Sequence, residues 1–431
     1  MIDKILSHIT DPASLARLAS TCKFWRNIIK GRTFLDCLSR RRHDHGFTPS
    51  LLLRFFYQDS TESPPQLSQH HKGKWCSLAP SFMPISELSQ SIGSRVRCNA
   101  LAPAKLCTFI RGLGAELNLY EPIASQDGFL ALRHRPKGTN DQAQSDKLCV
   151  CNPLTGEIFH IPRIPVASPD MYTLHVTEDV NRSKLVSQSF QLVAIWIRQR
   201  TFGTGFYCSK AKRWMWFSDT PELIPDLYAV RSPAAASHGA IHFLCGSSTN
   251  WTLTHIVTLH VAAHPKLSYL EVPLDAKRSK APLLANSADG SFLLLLLKGL
   301  QVSLWKHCSD TSSWVLSETI NLASSLPPRV VQMRAREKIK LEMFLGKSGA
   351  VVLWVDGEGL FLFNLSDGLM RKIGDERATK KYSFCPYEID WLSCLSIMNL
   401  VVDGSLLLDA GRKTIQCRWR KTVARHMKKS K

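Results

Sequence analysis

The sequence predicts two folded parts, α+β taken together: a small helical domain over residues 1–45 and an all-β, kelch-like propeller over 50–410, with a basic tail over 411–431. Three observations carry this. Apolar residues recur at helical spacing in the first forty residues and lose that spacing after Pro49. From about residue 75 onward, short apolar runs alternate with turn residues. A strand–turn–strand shape then returns at steps of about 50 residues, the period of a four-stranded propeller blade.

The helical part begins with Ile2, Ile5, Leu6 and Ile9, which share one face of a helix. Asp11 then offers an N-cap, with Pro12 at the first helical position. Leu15, Leu18, Ala19 and Cys22 continue the apolar stripe, and Lys23 to Ile29 adds a further amphipathic turn or two. Gly31 is expected to end that helix in a left-handed conformation. Phe34, Leu35 and Leu38 make a last short helix before Arg40-Arg41-Arg42. Some forty residues cannot bury a robust core unaided, so this unit is expected to lean on a partner or on the next domain.

The β part opens with the strand-length run Leu51 to Tyr57, and residues 58–74 read as a polar loop. The repeating shape occupies 149–162, 207–216, 259–270, 302–316 and 360–373. Asp127-Gly128, Asp289-Gly290, Asp356-Gly357, Asp367-Gly368 and Asp403-Gly404 suit type I′ turns, in which both central residues take positive φ. A ring of blades removes open sheet edges. A large β-sandwich is the competing arrangement, and the repeat period favours the propeller.

Composition narrows the function classes. Of the 431 residues 44% are hydrophobic and 21% charged, enough for a large core. No apolar stretch reaches membrane-helix length, and Asp3, Lys4 and His8 stand where a signal peptide would be apolar. Thirteen cysteines without a CxxC pair argue for reduced, buried thiols in a cytoplasmic or nuclear protein. The net charge of +20 is divided as +5 in residues 1–50, +9 in 411–431 and +6 in the 360 residues between. A mildly basic body weakens a nucleic-acid-binding reading, and the tail reads as a solvated end or an import signal.

No catalytic motif emerges. Gly112-Leu113-Gly114 lacks the remainder of a dinucleotide loop, and no phosphate loop or nucleophile elbow is present. His238 and His242, and likewise His260 and His264, have the spacing of a helical zinc pair but sit in strand-and-turn sequence. Cys149 and Cys151 fall on one face of a strand and read as buried small hydrophobes. Trp196, Trp214, Trp216, Trp251, Trp305, Trp314, Trp354 and Trp391 suit packing between blades, with a stacking platform for bases or sugars as the alternative. No cofactor or metal is implied.

The run from Asp11-Pro12 through Cys22-Lys23-Phe24-Trp25-Arg26 resembles the middle of an F-box. Cys151-Asn152-Pro153-Leu154-Thr155-Gly156 and Cys385-Pro386-Tyr387-Glu388-Ile389-Asp390 resemble segments of the F-box-associated domains of the large grass families. The resemblance implies a substrate adaptor of a Skp–cullin–F-box ubiquitin ligase. Ile5, Leu6, Ile9, Pro12, Leu15, Leu18, Cys22 and Trp25 would then bind the Skp adaptor, and the propeller would bind an unidentified target. An F-box ordinarily opens with Leu-Pro ahead of the first helix. Here the chain begins Met1-Ile2-Asp3, so a shortened F-box with weakened adaptor binding is expected. The alternative is a nucleic-acid or polyanion binder that uses the basic ends.

Overall fold

The structure is a computed structural model. It describes Leu6, Gly31 and residues 23–29 and 33–34 near the N-terminus, then 50–59, 81–84, 104–105, 120–134 and most of 147–390. The chain divides into two compact units: Met1–Asp44 with Trp391–Lys431, and His45–Asp390. Residues 391–410, expected in the propeller, and the tail 411–431 lie outside the described residues.

In the first unit, Lys23–Ile29 forms a helix, α1. Its end is closed by the Gly31 N–H donating to Ile28 O at 2.9 Å. Gly31 does not take the expected positive φ. A Cβ there would come 3.0 Å from Ile28 O, so the glycine serves close backbone approach. Ile29 and Phe34 are buried.

The second unit is all-β in its described sheets. Five are antiparallel sheets of consecutive strands, four of them simple meanders and one with two short strands side by side on the same neighbour. Blade 1 comprises β4 (Tyr120–Gln126), β5 (Phe129–His134), β6 (Leu148–Asn152) and β7 (Glu157–Ile161). Blade 2 comprises β8 (Met171–Asp179), β9 (Ser187–Arg198), β10 (Thr201–Cys208) and β11 (Arg213–Phe217). Blade 3 comprises β12 (Leu227–Ala229), β13 (Ala235–Ser237), β14 (Ala240–Ser247), β15 (Leu253–His260) and β16 (Lys266–Glu271). Blade 4 comprises β17 (Leu283–Asn286), β18 (Phe292–Lys298), β19 (Gln301–Cys308) and β20 (Ser313–Asn321). Blade 5 comprises β21 (Ile339–Leu345), β22 (Ala350–Val355), β23 (Gly359–Asn364) and β24 (Met370–Gly374).

A further sheet is composite. The last strand, β25 (Tyr382–Asp390), pairs antiparallel with β1 (Ser50–Asp59), and β2 (Ser81–Pro84) and β3 (Ala104–Lys105) follow outward. Its β25 meets β4 of blade 1 and the β21–β22 turn of blade 5. The sheets thus form a ring, and the sandwich alternative falls. The fold is β-propeller-like.

The apolar pattern explains the ring. Middle strands are buried on both faces, and alternate residues feed opposite neighbours. On β9, Leu192 and Ala194 pack with Phe129, Val150 and Ile161 of blade 1, whereas Val193 and Ile195 pack with Ile241, Phe243 and Val257 of blade 3. On β18, Leu294 and Leu296 face blade 3, whereas Leu293 and Leu295 face blade 5. A strand buried on both faces reads as a continuous apolar run. The outermost strands β11, β16, β20 and β24 are largely exposed and carry mixed sequence.

All five repeats noted in the sequence fall on the last two strands of successive blades. The Asp-Gly expectation holds only in part. Asp127 (φ 49°) and Gly128 (φ 85°) are both left-handed, as a type I′ turn requires. At Asp356-Gly357 and Asp367-Gly368 only the glycine is. Asp289-Gly290 and Asp403-Gly404 lie outside the described residues.

Candidate interaction surfaces

Of the eight residues expected to bind an adaptor, the structure describes two. Leu6 is helical and buried, which makes it core rather than contact surface. Trp25 is half-buried on α1, its ring edge-on to Phe24 at 5.7 Å. Ile5, Ile9, Pro12, Leu15, Leu18 and Cys22 lie outside the described residues. The apolar side chain that α1 offers outward is Phe24, 56% exposed, which the sequence reading passed over. Phe24 and Ile28 are four residues apart, yet Ile28 is half-buried, so periodicity alone did not separate the buried stripe from the outward residue.

The propeller presents a second surface on the outer part of blade 2. Register places Trp196 of β9 opposite Gly203 of β10, Trp216 of β11 opposite Gly205, and Trp214 opposite Tyr207. These residues therefore share one face of the sheet. The rings of Trp214 and Trp216 stack at 5.4 Å and 17°, and Trp196 leans on Trp216 at 6.0 Å. The two glycines make room. A Cβ on Gly203 would stand 2.2 Å from the Trp196 ring, and one on Gly205 would stand 2.5 Å from Trp216. The indoles lie across bare backbone as a shelf, with Trp216 41% exposed. The signal available in sequence was Gly203-Thr204-Gly205 inside an apolar strand, a mark of close approach.

Trp214 also has a structural task. Its Nε1 donates to Pro162 O of the segment leaving blade 1, at 2.8 Å. Trp314 repeats this on blade 4, donating to Glu271 O of blade 3 at 2.8 Å. Each carries an edge-on ring from its own third strand: Tyr207 at 5.7 Å and His307 at 5.4 Å. Trp214, Trp305 and Trp314 thus pack between blades as expected, while Trp216 faces outward. Trp251 and Trp391 lie outside the described residues.

The remaining candidates are structural in their setting. Cys149 and Cys151 are buried on β6; burial pushes the Cys149 thiol up to about 12 and Cys151 well above the ordinary range, with Cys149 adding to the second. Thiols held protonated in this way are poor nucleophiles and poor metal ligands. His242 lies on β14, not on a helix, with Nδ1 2.8 Å from Thr258 Oγ1 and its pKa lowered to about 4, first by burial and then by His260. His238 and His264 lie outside the described residues. Among the described residues no group of three His, Cys, Asp or Glu side chains is placed to hold a metal, and no helix is long and apolar enough to cross a membrane.

Several solved structures are similar in shape. The nidogen/laminin complex gives a TM-score of 0.40 at 7% identity, covering 78% of this chain and 98% of that one. A protein from Lactobacillus plantarum gives 0.35 at 11% identity, covering 75% and 82%. A catalytically inactive virginiamycin B lyase from Staphylococcus aureus, solved with quinupristin, gives 0.31 at 12% identity, covering 59% and 69%. No curated protein matches the chain. A family model does match, over residues 89–401, which hold all five consecutive blades and the closing strand: the chain belongs to the family described as a domain of unknown function, DUF7595.

Proposed function

We propose that this protein is a non-catalytic substrate adaptor of a Skp–cullin–F-box ubiquitin ligase, acting in the nucleus or cytoplasm. The N-terminal helical residues dock on the Skp adaptor, and the kelch-like propeller recruits the target. The observation that carries the reading is α1, where Lys23-Phe24-Trp25-Arg26, preceded in sequence by Cys22, follows the F-box pattern and Phe24 points outward while Ile29 is buried. An exposed large aromatic beside a half-buried tryptophan is the composition of an interface anchor. The propeller supports the reading in a general way, because a rigid ring presents variable loops to a partner.

The test is co-purification of the full chain with a plant Skp adaptor, beside Phe24→Ala and Trp25→Ala. The exposed Phe24 is the informative position, since its truncation removes little core. A stable complex that Phe24→Ala weakens at least tenfold is expected. A folded chain that forms no complex sinks the adaptor role. Binding instead to any polyanion, lost on deleting 411–431, would favour the alternative of a polyanion-binding propeller.

A further inference from the structure

We infer that the outer hairpin of blade 2 binds single-stranded nucleic acid, with Trp216 as a base-stacking platform and the adjoining cations as phosphate contacts. This goes beyond the adaptor role and does not depend on it. The residues expected to bring in a polyanion were the basic ends of the chain; the structure points to the body.

Two independent features meet on this hairpin. The first is the shelf: Trp216 exposes its ring, Trp196 and Trp214 brace it, and Gly203 and Gly205 let the indoles lie on the sheet. Stacking on an indole asks of a ligand only a flat ring, which every base has. The second is charge. The turn from β10 to β11 carries Lys210, Lys212 and Arg213, all exposed, and Lys212 is held at φ 51°. Arg163, also exposed, follows the Pro162 whose carbonyl accepts from Trp214. At the opposite end of the sheet, beside the β9–β10 turn, the Asp170 carboxylate accepts from the Ile197 N–H, at 2.8 Å. Trp214 and Trp216 share one face of β11 about 6.6 Å apart, Lys212 precedes the strand in the turn, and Arg213 alternates to the other face. Cations at one end and a bare ring at the other suit a ligand that is both planar and anionic along its length. A neutral glycan would use the ring and leave the cations idle. A peptide would not need both.

The test is fluorescence anisotropy of a fluorescein-labelled fifteen-residue oligouridylate with the full-length chain, at several salt concentrations. Trp216→Ala is expected to weaken binding about tenfold, and Trp216→Phe to retain it within about threefold, since a ring remains. Lys210→Gln with Lys212→Gln and Arg213→Gln should weaken binding and reduce the slope of log affinity against log salt by about 2. If Trp216→Ala fails to fold, the charge triple and Trp216→Phe carry the test. Affinity within twofold of the parent in both Trp216→Ala and the charge triple overturns the inference, because binding then belongs to the tail. Loss of binding in Trp216→Phe as complete as in a misfolded control overturns the stacking role. An unchanged salt slope in the charge triple overturns the phosphate contacts.

Discussion

Glu388 holds Ser348 by two hydrogen bonds to one carboxylate oxygen, Oε1: the Ser348 N–H donates at 2.9 Å, and so does its hydroxyl. Ser348 lies in the turn between β21 and β22 of blade 5, and Glu388 on the closing strand β25. The Glu388 carbonyl meanwhile accepts from the Gly128 N–H of blade 1 at 3.1 Å. One residue therefore spans the seam where the two ends of the β unit meet. Glu388→Gln keeps the shape and removes the charge from two hydrogen bonds. A loss of about 1–2 kcal/mol is expected. Urea unfolding of parent and variant measures it, and a midpoint unchanged in Glu388→Gln would mean the seam is held elsewhere.

The neighbouring residue makes the other half of the closure. Tyr387 is buried, and its hydroxyl donates to Gly128 O at 2.9 Å. Gly128 thus gives its N–H to one residue of β25 and receives from the next. Ser125, on the same hairpin, donates its hydroxyl to Pro386 O. Tyr387→Phe preserves the ring and leaves the Gly128 carbonyl short of one bond, at a cost of about 1–1.5 kcal/mol. Combined with Glu388→Gln the losses should fall short of additive, because both changes loosen the same strand. Strict additivity in thermal melts would argue that they act separately.

These contacts show what the sequence carried and what it did not. The next-to-last strand of each blade is more deeply buried than the last, which faces solvent more. A continuous apolar run, a polar turn and a mixed run therefore recur, and that contrast made five hairpins readable from residues alone. The innermost strands of blades 3 and 4 were too short to read: β12 and β13 are three residues each and β17 is four. The closing sheet was hidden for another reason. Leu51 pairs with Ile389 across nearly the whole chain, and no local pattern encodes a partner that distant. The run from Cys385 to Asp390 stood out as a motif, yet its role as the closing strand required the fold. The tryptophan shelf was half legible. The indoles were visible as candidates, but which of them faces solvent depended on Gly203 and Gly205 lying opposite in register.

The shelf yields a packing prediction. Gly205→Ala would drive a methyl to 2.5 Å from the Trp216 ring, so the indole must lift away. Gly203→Ala does the same to Trp196 at 2.2 Å. Each substitution should cost about 1–3 kcal/mol, as overpacking does. Trp216 reaches solvent and can swing out, so Gly205→Ala should be the milder of the two. Tryptophan emission should shift to longer wavelength in both. Adding Trp196→Ala to Gly203→Ala should recover part of the loss. Failure of that rescue would mean the glycine is needed for its backbone, not for the ring.

The imidazole at the junction of blades 3 and 4 predicts an acid-sensitive propeller. His242 packs 4.4 Å from the Phe292 ring, and burial, then His260, lower its pKa from the ordinary 6.5 to about 4. Above pH 6.5 His242 is neutral in both folded and unfolded chains and contributes nothing to the pH dependence. Between 6.5 and 4 the unfolded chain takes up a proton that the folded one resists, so stability falls with pH. The slope approaches about 1.4 kcal/mol per pH unit for this one group and levels off below the folded value. His175, His255 and His307 are lowered in the same direction, each first by burial. Urea midpoints at pH 7, 6 and 5 should therefore decline for the parent. His242→Gln should start less stable at pH 7, because it disturbs the Thr258 contact, yet decline less steeply. Parallel declines in parent and variant would remove His242 as a source of the acid sensitivity.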